Sequence, residues 1–511
     1  MTKTLGLWNI AAEEPEKTAV VDPVGRVVSY GELTAKANKY ARGLQELGLG
    51  AGDVVVLLQP NGDELLAAYF AAIQTGLYVV VVNWHLIGPE VAYIIGDSGA
   101  KAFLAHERFA DVAIAAADEA GLPASARFAV GDVPGFHRIE ELGAGEGDGR
   151  PPRRTAGSPM LYTSGTTGRP KGVRRPLTGA DPDEVPVAST WFFGIFGLEP
   201  RDGHVHLCGS PLYHTAVLNF VVISLQLGHS AVLMDRWDAA EMLTLIERHR
   251  VTHSHMVPTQ FRRLLALPSG VRSRHDLSSL RVMIHGAAPC PPEVKRRMLA
   301  WWGPVVTEYY AATEGGGTVI TGEDWLRKPG SVGRPWPGST IKVLDDTGAE
   351  LPPDSIGTAY LQMGASEFSY HKDPAKTAAA RVGSLFTLGD VGHLDADGYL
   401  YLHDRKADLI ISGGVNIYPA EIEGELVMHP AVGDVAVFGV PHEDWGEEIK
   451  AVVQPAPGVA PSSDLTAELL EYAATRLAKF KLPRSIDYLA ELPRDPNGKL
   501  YKRHLREKYV V

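Results

Sequence analysis

Residues 162–172, with the sequence YTSGTTGRPKG, have the composition of a loop that holds phosphate groups. Glycines let the backbone approach a ligand closely, hydroxyls donate hydrogen bonds to phosphate oxygens, and a lysine adds positive charge. The spacing differs from the GxxxxGK pattern of a P-loop, which disfavours a kinase or a GTPase. A plain Gly/Thr turn is the competing interpretation, but four hydroxyls, three glycines and a lysine in eleven residues exceed what a turn needs. We predict a phosphate-binding loop formed by Thr163, Ser164, Gly165, Thr166, Thr167, Gly168 and Lys171.

Six further blocks follow this loop along the rest of the chain. Together with the loop, their order resembles that of the adenylate-forming superfamily, which includes acyl-CoA synthetases, luciferases and peptide-synthetase adenylation domains. One such match would be weak, whereas seven in the right order are specific. The six blocks are PLYH (211–214), GAAP (286–289), YAATE (310–314), TLGD (387–390), DRKADLIISGGVNIYPAEIE (404–423) and PRDPNGK (493–499).

The resemblance implies an acyl-CoA synthetase that uses ATP, Mg²⁺ and coenzyme A to activate a small-molecule carboxylic acid. Adenylation brings a carboxylate against a phosphate, so a cation and a metal must neutralise the transition state. By resemblance, Lys499 bridges the two anions, Glu314 holds Mg²⁺, and His214 is an aromatic gate between the acyl pocket and the thiol tunnel. Taken alone, these residues could equally be a solvated lysine, a surface carboxylate and a satisfied buried histidine.

The nucleotide site is predicted from the same blocks. By resemblance, Tyr310 stacks on adenine opposite a low wall of small residues, and Asp390 with Arg405 binds the ribose hydroxyls. Core packing and a structural ion pair are the plainer alternatives. The remaining residues assigned to this site are Gly286, Ala287, Ala288, Ala311 and Thr313.

Two further sets complete the predicted site. Gly413 and Gly414 would let pantetheine pass close to the backbone, although a plain hairpin turn explains them too. Lys481 is assigned to the coenzyme A phosphates, with a solvated helix end as the equal alternative. The acyl pocket is assigned to Tyr213, Asn219, Ala312 and Gly315, together with the aromatic stretch TWFFGIF at 190–196, which could instead be core.

Two positions depart from the family pattern. Ala311 stands where many members have glycine, and Ala407 stands at the hinge position, usually Asp or Lys. An enzyme specialised for the thioester-forming half-reaction therefore stays an alternative, and a carrier-loading module is a second one, although no carrier segment follows Lys499. The blocks look most like actinomycete ligases, with platensimycin-type natural-product ligases among them. The acid itself stays open between fatty acids and bulky alicyclic or terpenoid acids.

The fold that positions these residues is predicted from alternating helix and strand patterns along the chain. They predict an α/β protein whose large N-terminal domain, residues 1–403, has two αβαβα layered subdomains and a β-rich subdomain. Residues 404–409 are the predicted hinge, and residues 410–511 form a small mobile α+β C-terminal domain. Residues 144–159, rich in Gly, Pro and Arg, are predicted to be an exposed connection, and residues 465–480 a helix.

Composition excludes several classes of protein. A formal net charge of -12 disfavours a nucleic-acid binder, and 45% hydrophobic residues allow large cores. Two cysteines cannot build a disulfide framework, no apolar run reaches the length of a bilayer span, and the N-terminal residues 1–17 are expected to be no signal peptide because they lack a long apolar run. We expect a cytoplasmic enzyme. The oligomeric state stays open, with a homodimer among the options.

Replacing Lys499 tests the predicted bridge between carboxylate and phosphate. We expect Lys499→Ala to slow acid-dependent pyrophosphate release by about 100- to 1,000-fold, because a preorganised charge contact is lost. Thioester formation from a supplied acyl-adenylate should continue. Unchanged pyrophosphate release in the variant would contradict the assignment.

Overall fold

The computed structural model describes residues 4–163, 171–311, 315–364, 369–371, 373–494, 500 and 502–509. The chain divides into two compact units. Unit 1 comprises Met1–Met256, Leu267–Ile284 and Ser366–Ala379, and unit 2 comprises Val257–Ala266, His285–Ala365 and Ala380–Val511.

Unit 1 contains a six-stranded parallel sheet. Its central strand Val54–Leu58 is buried along its whole length, as expected for a parallel strand covered on both faces. The strands lie in the order His137–Arg138, Arg127–Val130, Ala100–His106, Val54–Leu58, Tyr78–Val81 and Ser158–Pro159.

A second group of strands in unit 1 is mostly parallel, with one antiparallel pair at its edge. These strands lie in the order Val282–His285, His253–Met256, Val205–Cys208, Ser230–Leu233, Thr18–Val21 and Val27–Ser29. A small antiparallel sheet is formed by Ser369–Tyr370, Lys171–Arg174 and Leu161–Thr163.

The helices of unit 1 pack around these sheets. The helix Tyr30–Glu46 begins with a capping box, in which the Ser29 hydroxyl accepts from the Glu32 N–H and the Glu32 carboxylate accepts from the Ser29 N–H. The buried Tyr30 hydroxyl donates to the carbonyls of Leu225 and His229. The other helices are Leu7–Glu13, Asp63–Ile73, Gly88–Ser98, Ala110–Glu119, Val185–Gly194, Thr215–Gln226, Ala239–His249, Ser269–Arg272 and Pro374–Ala379, with 3₁₀ turns at Glu107–Phe109, Ala124–Ala126 and Ile139–Glu141.

Unit 2 is built from antiparallel ladders. One joins Val306–Ala311, Gly317–Ile320 and Arg334–Pro335. A second runs in the order Arg381–Val382, Leu385–Phe386, Gly357–Met363, Asp390–Leu394 and Leu400–Arg405, with Ser339–Leu344 also paired to Gly357–Met363. A third, near the C-terminus, runs in the order Val415–Ile417, Ile410–Ser412, Gly446–Pro455 and Val432–His442, with Ser485–Tyr488 parallel to Gly446–Pro455.

The helices of unit 2 are Pro258–Ala266, Pro292–Trp302, Gly322–Arg327, Pro419–Leu426, Ser463–Ala474 and Lys502–Tyr509, with a 3₁₀ turn at Lys479–Lys481. The third sheet and two of these helices share a core of aliphatic side chains that includes Ile410, Ile422, Leu426 and Leu469. Among the described residues, no helix is both long enough and apolar enough to cross a bilayer.

The predicted mixed α/β class is confirmed, and two local predictions need correction. The helix expected over 465–480 ends at Ala474, and Leu477 enters the core from the turn that follows. The connection expected at 144–159 is largely exposed, but its last residues, Ser158–Pro159, join the six-stranded sheet as an edge strand.

Four histidines lie together in the core of unit 1, and we call His204, His206, His229 and His253 the histidine layer. Neighbouring ring centroids are 4.8 Å apart for His206 and His253 and 4.9 Å apart for His204 and His229. Burial, with the neighbouring histidines adding to it, lowers the pKa of His206 to about 3. Burial also lowers the pKa of His229 to about 4 and that of His253 well below its usual value. These three rings are therefore neutral at physiological pH.

The histidine layer should make the fold sensitive to acid. A histidine whose pKa is lower in the folded state binds fewer protons there, so the free energy of unfolding falls as pH drops from the unfolded pKa toward the folded pKa. Each such histidine contributes up to about 1.4 kcal/mol per pH unit below about pH 6.5. We expect His206→Phe to lose less stability than the parent between about pH 6.5 and pH 5, as measured by urea unfolding. Equal losses in both proteins would show that His206 does not titrate on unfolding.

Candidate active site

The buried carboxylate of Asp390 contacts two other residues that are predicted to hold the nucleoside. The Tyr310 hydroxyl donates to Asp390 Oδ2 at 2.6 Å, and Arg405 Nε lies 3.4 Å from Asp390 Oδ1. Asp390 and Arg405 face each other across the Asp390–Leu394 and Leu400–Arg405 strands. The structure therefore brings the predicted stacking ring next to the predicted ribose pair.

The GAAP turn lies against the strand that carries Tyr310. A Cβ at Gly286 would come within 2.7 Å of the Tyr309 carbonyl oxygen, so only glycine permits this approach. Ala287 has a φ of 67°, which is uncommon for a residue with a side chain. Strained backbone at a predicted ligand wall is consistent with a turn shaped for contact with a ligand.

A buried ion pair that the sequence did not indicate supports the same strand. Lys295 Nζ donates to Glu308 Oε2 at 2.6 Å, and both side chains are almost inaccessible to solvent. Burial raises the pKa of Glu308, and Lys295 opposes this rise. The lysine ammonium also lies 5.0 Å from the Trp325 ring. The available signal was the position of Lys295 on the apolar face of the helix Pro292–Trp302, beside Val294, Met298 and Leu299.

His214 lies at the start of the helix Thr215–Gln226, in a row of aromatic rings. Its ring is 4.3 Å from Tyr213, which contacts Trp84 edge-on at 4.8 Å. Burial lowers the pKa of His214 to about 3, with the nearby His255 and His85 adding to this effect. The imidazole is therefore neutral at physiological pH and a weak base, which favours an aromatic role over general-base chemistry.

Aromatic residues from two helices meet in unit 1. Phe192, Phe193 and Phe196, in or just after the helix Val185–Gly194, lie 5.6, 5.6 and 5.8 Å from Phe220 in ring-centroid distance. The structure thus joins two of the segments predicted for the acyl pocket. Trp191 is 41% exposed, and its ring lies 5.7 Å from that of Phe192. Asn219, on the second helix, is half-buried.

Gly413 and Gly414 form the two-residue turn between Ile410–Ser412 and Val415–Ile417. Their φ angles are 57° and 78°, so the turn itself accounts for both glycines. Gly413 N–H donates to the Trp445 carbonyl at 2.8 Å, and a Cβ at Gly414 would meet nothing within 4 Å. The plain hairpin interpretation is therefore correct for the local structure, and passage of a ligand beside it stays a prediction.

Two other predicted residues, Lys481 and Ala407, lie in the C-terminal part of the chain. Lys481 Nζ lies 2.7 Å from both carboxylate oxygens of Glu421. Ala407 lies exposed in a turn that directly follows Arg405. That turn is held by the Lys406 N–H to the Gly389 carbonyl at 2.7 Å and by an ion pair between Lys406 and Asp346 at 2.6 Å.

Several predicted residues lie outside the described residues: Ser164, Gly165, Thr166, Thr167, Gly168, Ala312, Thr313, Glu314 and Lys499. The backbones of Thr163 and Lys171, which flank the predicted phosphate loop, pair in the small antiparallel sheet. Ala311 ends its strand opposite Gly317, and Gly315 has a φ of 125°. Within the described part of the chain, no three His, Cys, Asp or Glu side chains are grouped to hold a metal ion.

Comparison with known proteins agrees with this geometry. The model of the AMP-binding enzyme family matches residues 7–363, and the model of the AMP-binding enzyme C-terminal domain matches residues 421–499. The long-chain-fatty-acid–CoA ligase FadD13 of Mycobacterium tuberculosis is 34% identical over 98% of this chain and 97% of its own. The fatty acid–[acyl-carrier-protein] ligase ScoC of Streptomyces coeruleorubidus is 33% identical over 98% of this chain and 95% of its own.

A solved structure shows the same architecture. The anthranilate CoA ligase AuaEII, in complex with anthranoyl-AMP, matches with a TM-score of 0.85 at 25% identity, covering 99% of this chain and 98% of that one. A large N-terminal domain and a smaller C-terminal domain are therefore present here. The chain belongs to the AMP-binding enzyme family, and it is an AMP-forming acid–CoA ligase that converts an acid to a thioester through an acyl-adenylate.

Proposed function

We propose that this ligase activates a compact carboxylic acid that carries a ring, alicyclic or aromatic. The closure of three phenylalanines on Phe220 carries the proposal. His206 and His255 stack on the Phe220 ring, at interplanar angles of 9° and 23°. Aromatic side chains therefore close the space between the two helices.

The depth of the proposed pocket favours a short acid. His214 precedes Phe220 by six residues on one helix, which is about 9 Å along the helix axis at 1.5 Å per residue. An extended fatty acyl chain of palmitate length is much longer than this. A rigid ring also loses less conformational freedom on binding than a flexible chain does.

The names of the relatives include both ring-bearing and fatty acids, so they do not decide between these two classes of substrate. AuaEII acts on anthranilate, a ring-bearing acid, whereas FadD13 is named for long-chain fatty acids and ScoC for transfer to an acyl carrier protein. The aromatic closure at Phe220 favours the ring-bearing class for this chain.

The nucleotide side of the proposal assigns roles to residues of unit 2. Asp390 accepts hydrogen bonds from the ribose hydroxyls, and Tyr310 stacks on adenine. Bound Mg²⁺ would neutralise phosphate charge, with Glu314 as its protein ligand, because a hard cation takes oxygen ligands. Lys499 is assigned to neutralise the negative charge that develops where the carboxylate meets the α-phosphate. Residues 404–409 are the hinge about which the C-terminal domain turns between the two steps.

A panel of acids tests the substrate class. We expect kcat/KM for acyl-CoA formation to be at least about tenfold higher for cinnamate-like, cyclohexyl and fused-ring acids than for linear acids from octanoate to palmitate. Phe192→Ala should raise the relative rate with long linear acids, since it removes one closing ring. Val187→Ala, at a position 60% exposed on the same helix and outside the predicted pocket stretch, is the matched control and should change nothing. A clear preference of the parent enzyme for palmitate would contradict the proposal.

A bulky side chain at the glycine turn tests the proposed path of coenzyme A. We expect Gly414→Trp to slow thioester formation and leave pyrophosphate release intact, because the added side chain projects into open space that the thiol arm would need. Gly414→Ala is the control for backbone strain, since alanine is strained at the same positive φ but adds only a methyl group. Equal rates of acyl-CoA formation in the two variants would place the path elsewhere.

A further inference from the structure

One carboxylate links the two parts of the chain matched by the two family models. Asp434, on the strand Val432–His442, faces Arg262 of the helix Pro258–Ala266, with 3.4 Å between Arg262 Nη1 and Asp434 Oδ1. Arg262 also donates through Nη2 to the carbonyl of Gly433. Helix 258–266 lies in the AMP-binding match, whereas Gly433 and Asp434 lie in the C-terminal match.

The same carboxylate holds the residue that precedes the Lys499 segment. Arg494 donates to Asp434 through Nε and, at 2.8 Å, through Nη2, which is a two-pronged contact. Arg494 also forms an antiparallel bridge with Leu500. The two residues that flank 495–499 are thus tied together, and Asp434 holds one of them.

The side chains in this contact are mostly buried, unlike those of a chance ion pair on the surface. The Asp434 side chain is 12% exposed, and those of Arg262 and Arg494 are 22% and 24% exposed. The strand register shifts between Val432 and Asp434, a bulge of the kind that re-aims backbone groups. Burial lowers the pKa of Arg262, and Asp434 opposes the effect, so the carboxylate compensates an arginine that has lost much of its water.

We propose that Arg262 is a positioning residue for adenylation, which holds the root of the Lys499 segment against the AMP-binding domain through Asp434 and Arg494. The Arg494 to Asp434 contact lies within the C-terminal domain and survives any rotation of that domain. The Arg262 to Asp434 contact joins a helix of the AMP-binding match to a strand of the C-terminal match, so rotation about the predicted hinge at residues 404–409 would break it. Loss of Arg262 should therefore affect one half-reaction and spare the other.

Arg262→Gln tests this with two separate assays on the full-length enzyme. With the preferred acid, we expect acid- and ATP-dependent pyrophosphate release to fall about 10- to 100-fold in kcat, because small displacements of a catalytic group are costly. The KM values for acid and ATP should change little. Thioester formation from a supplied acyl-adenylate and coenzyme A should stay within about twofold of the parent, since Lys499 is predicted to act in the adenylation step alone.

Two further variants sharpen the result. Arg263→Gln removes the neighbouring exposed arginine of the same helix and should match the parent in both assays. Arg262→Lys keeps the positive charge but lacks the planar guanidinium with its several donors, so it should recover part of the adenylation rate. An equal loss in both half-reactions would reduce Arg262 to a structural role. Unchanged adenylation, or a loss confined to the thioester step, would also overturn the proposal. The inference rests on the proposed roles of Lys499 and of the hinge at residues 404–409, and Lys499→Ala tests the first of these separately. It depends on the proposed acid class only through the choice of assay substrate, which the panel of acids identifies independently.

Discussion

The nucleotide side of the site depends on the buried carboxylate of Asp390. A carboxylate withdrawn from water must be met by donors, and here these are the Tyr310 hydroxyl and the Arg405 guanidinium. Tyr310 belongs to a strand that the Lys295 to Glu308 ion pair anchors from behind. Arg405 is the last residue of its strand, directly before the exposed turn at the hinge position. One carboxylate thereby contacts both the ring predicted to stack on adenine and the arginine that directly precedes the predicted hinge.

Much of the fold could be predicted from hydrophobic periodicity, since parallel strands buried on both faces give continuous apolar runs such as Val54–Leu58. The ends of the helices were harder to predict. The apolar spacing continues past Ala474 to Leu477, but Leu477 reaches the core from a turn, and the helical pattern alone cannot distinguish the two. The edge strand Ser158–Pro159 was equally hidden, because Gly and Pro around it are typical of loops.

Motif order identified the family and predicted the nucleotide residues, yet it did not give the contacts that support them. Gly286 was assigned to the surface that faces adenine. The structure shows a local reason for the glycine, because the Tyr309 carbonyl oxygen leaves no room for a side chain there. Lys295 and Glu308 resemble surface residues until their helix and strand are packed together. The contact between Arg262 and Asp434 joins residues 172 positions apart, which no local pattern indicates.

The contact between Arg262 and Asp434 also bears on timing, because a contact that spans the predicted hinge would have to open once in every catalytic cycle. Domain motions occur in microseconds to milliseconds, and each 1.4 kcal/mol of added attachment slows opening about tenfold. With turnover of about 10 per second, a domain motion of about 10,000 per second tolerates roughly 4 kcal/mol of added attachment before opening becomes the slow step. A partly hydrated ion pair falls within that range, whereas an extensive apolar interface would exceed it. Polar attachment is therefore suited to holding a domain briefly and then releasing it.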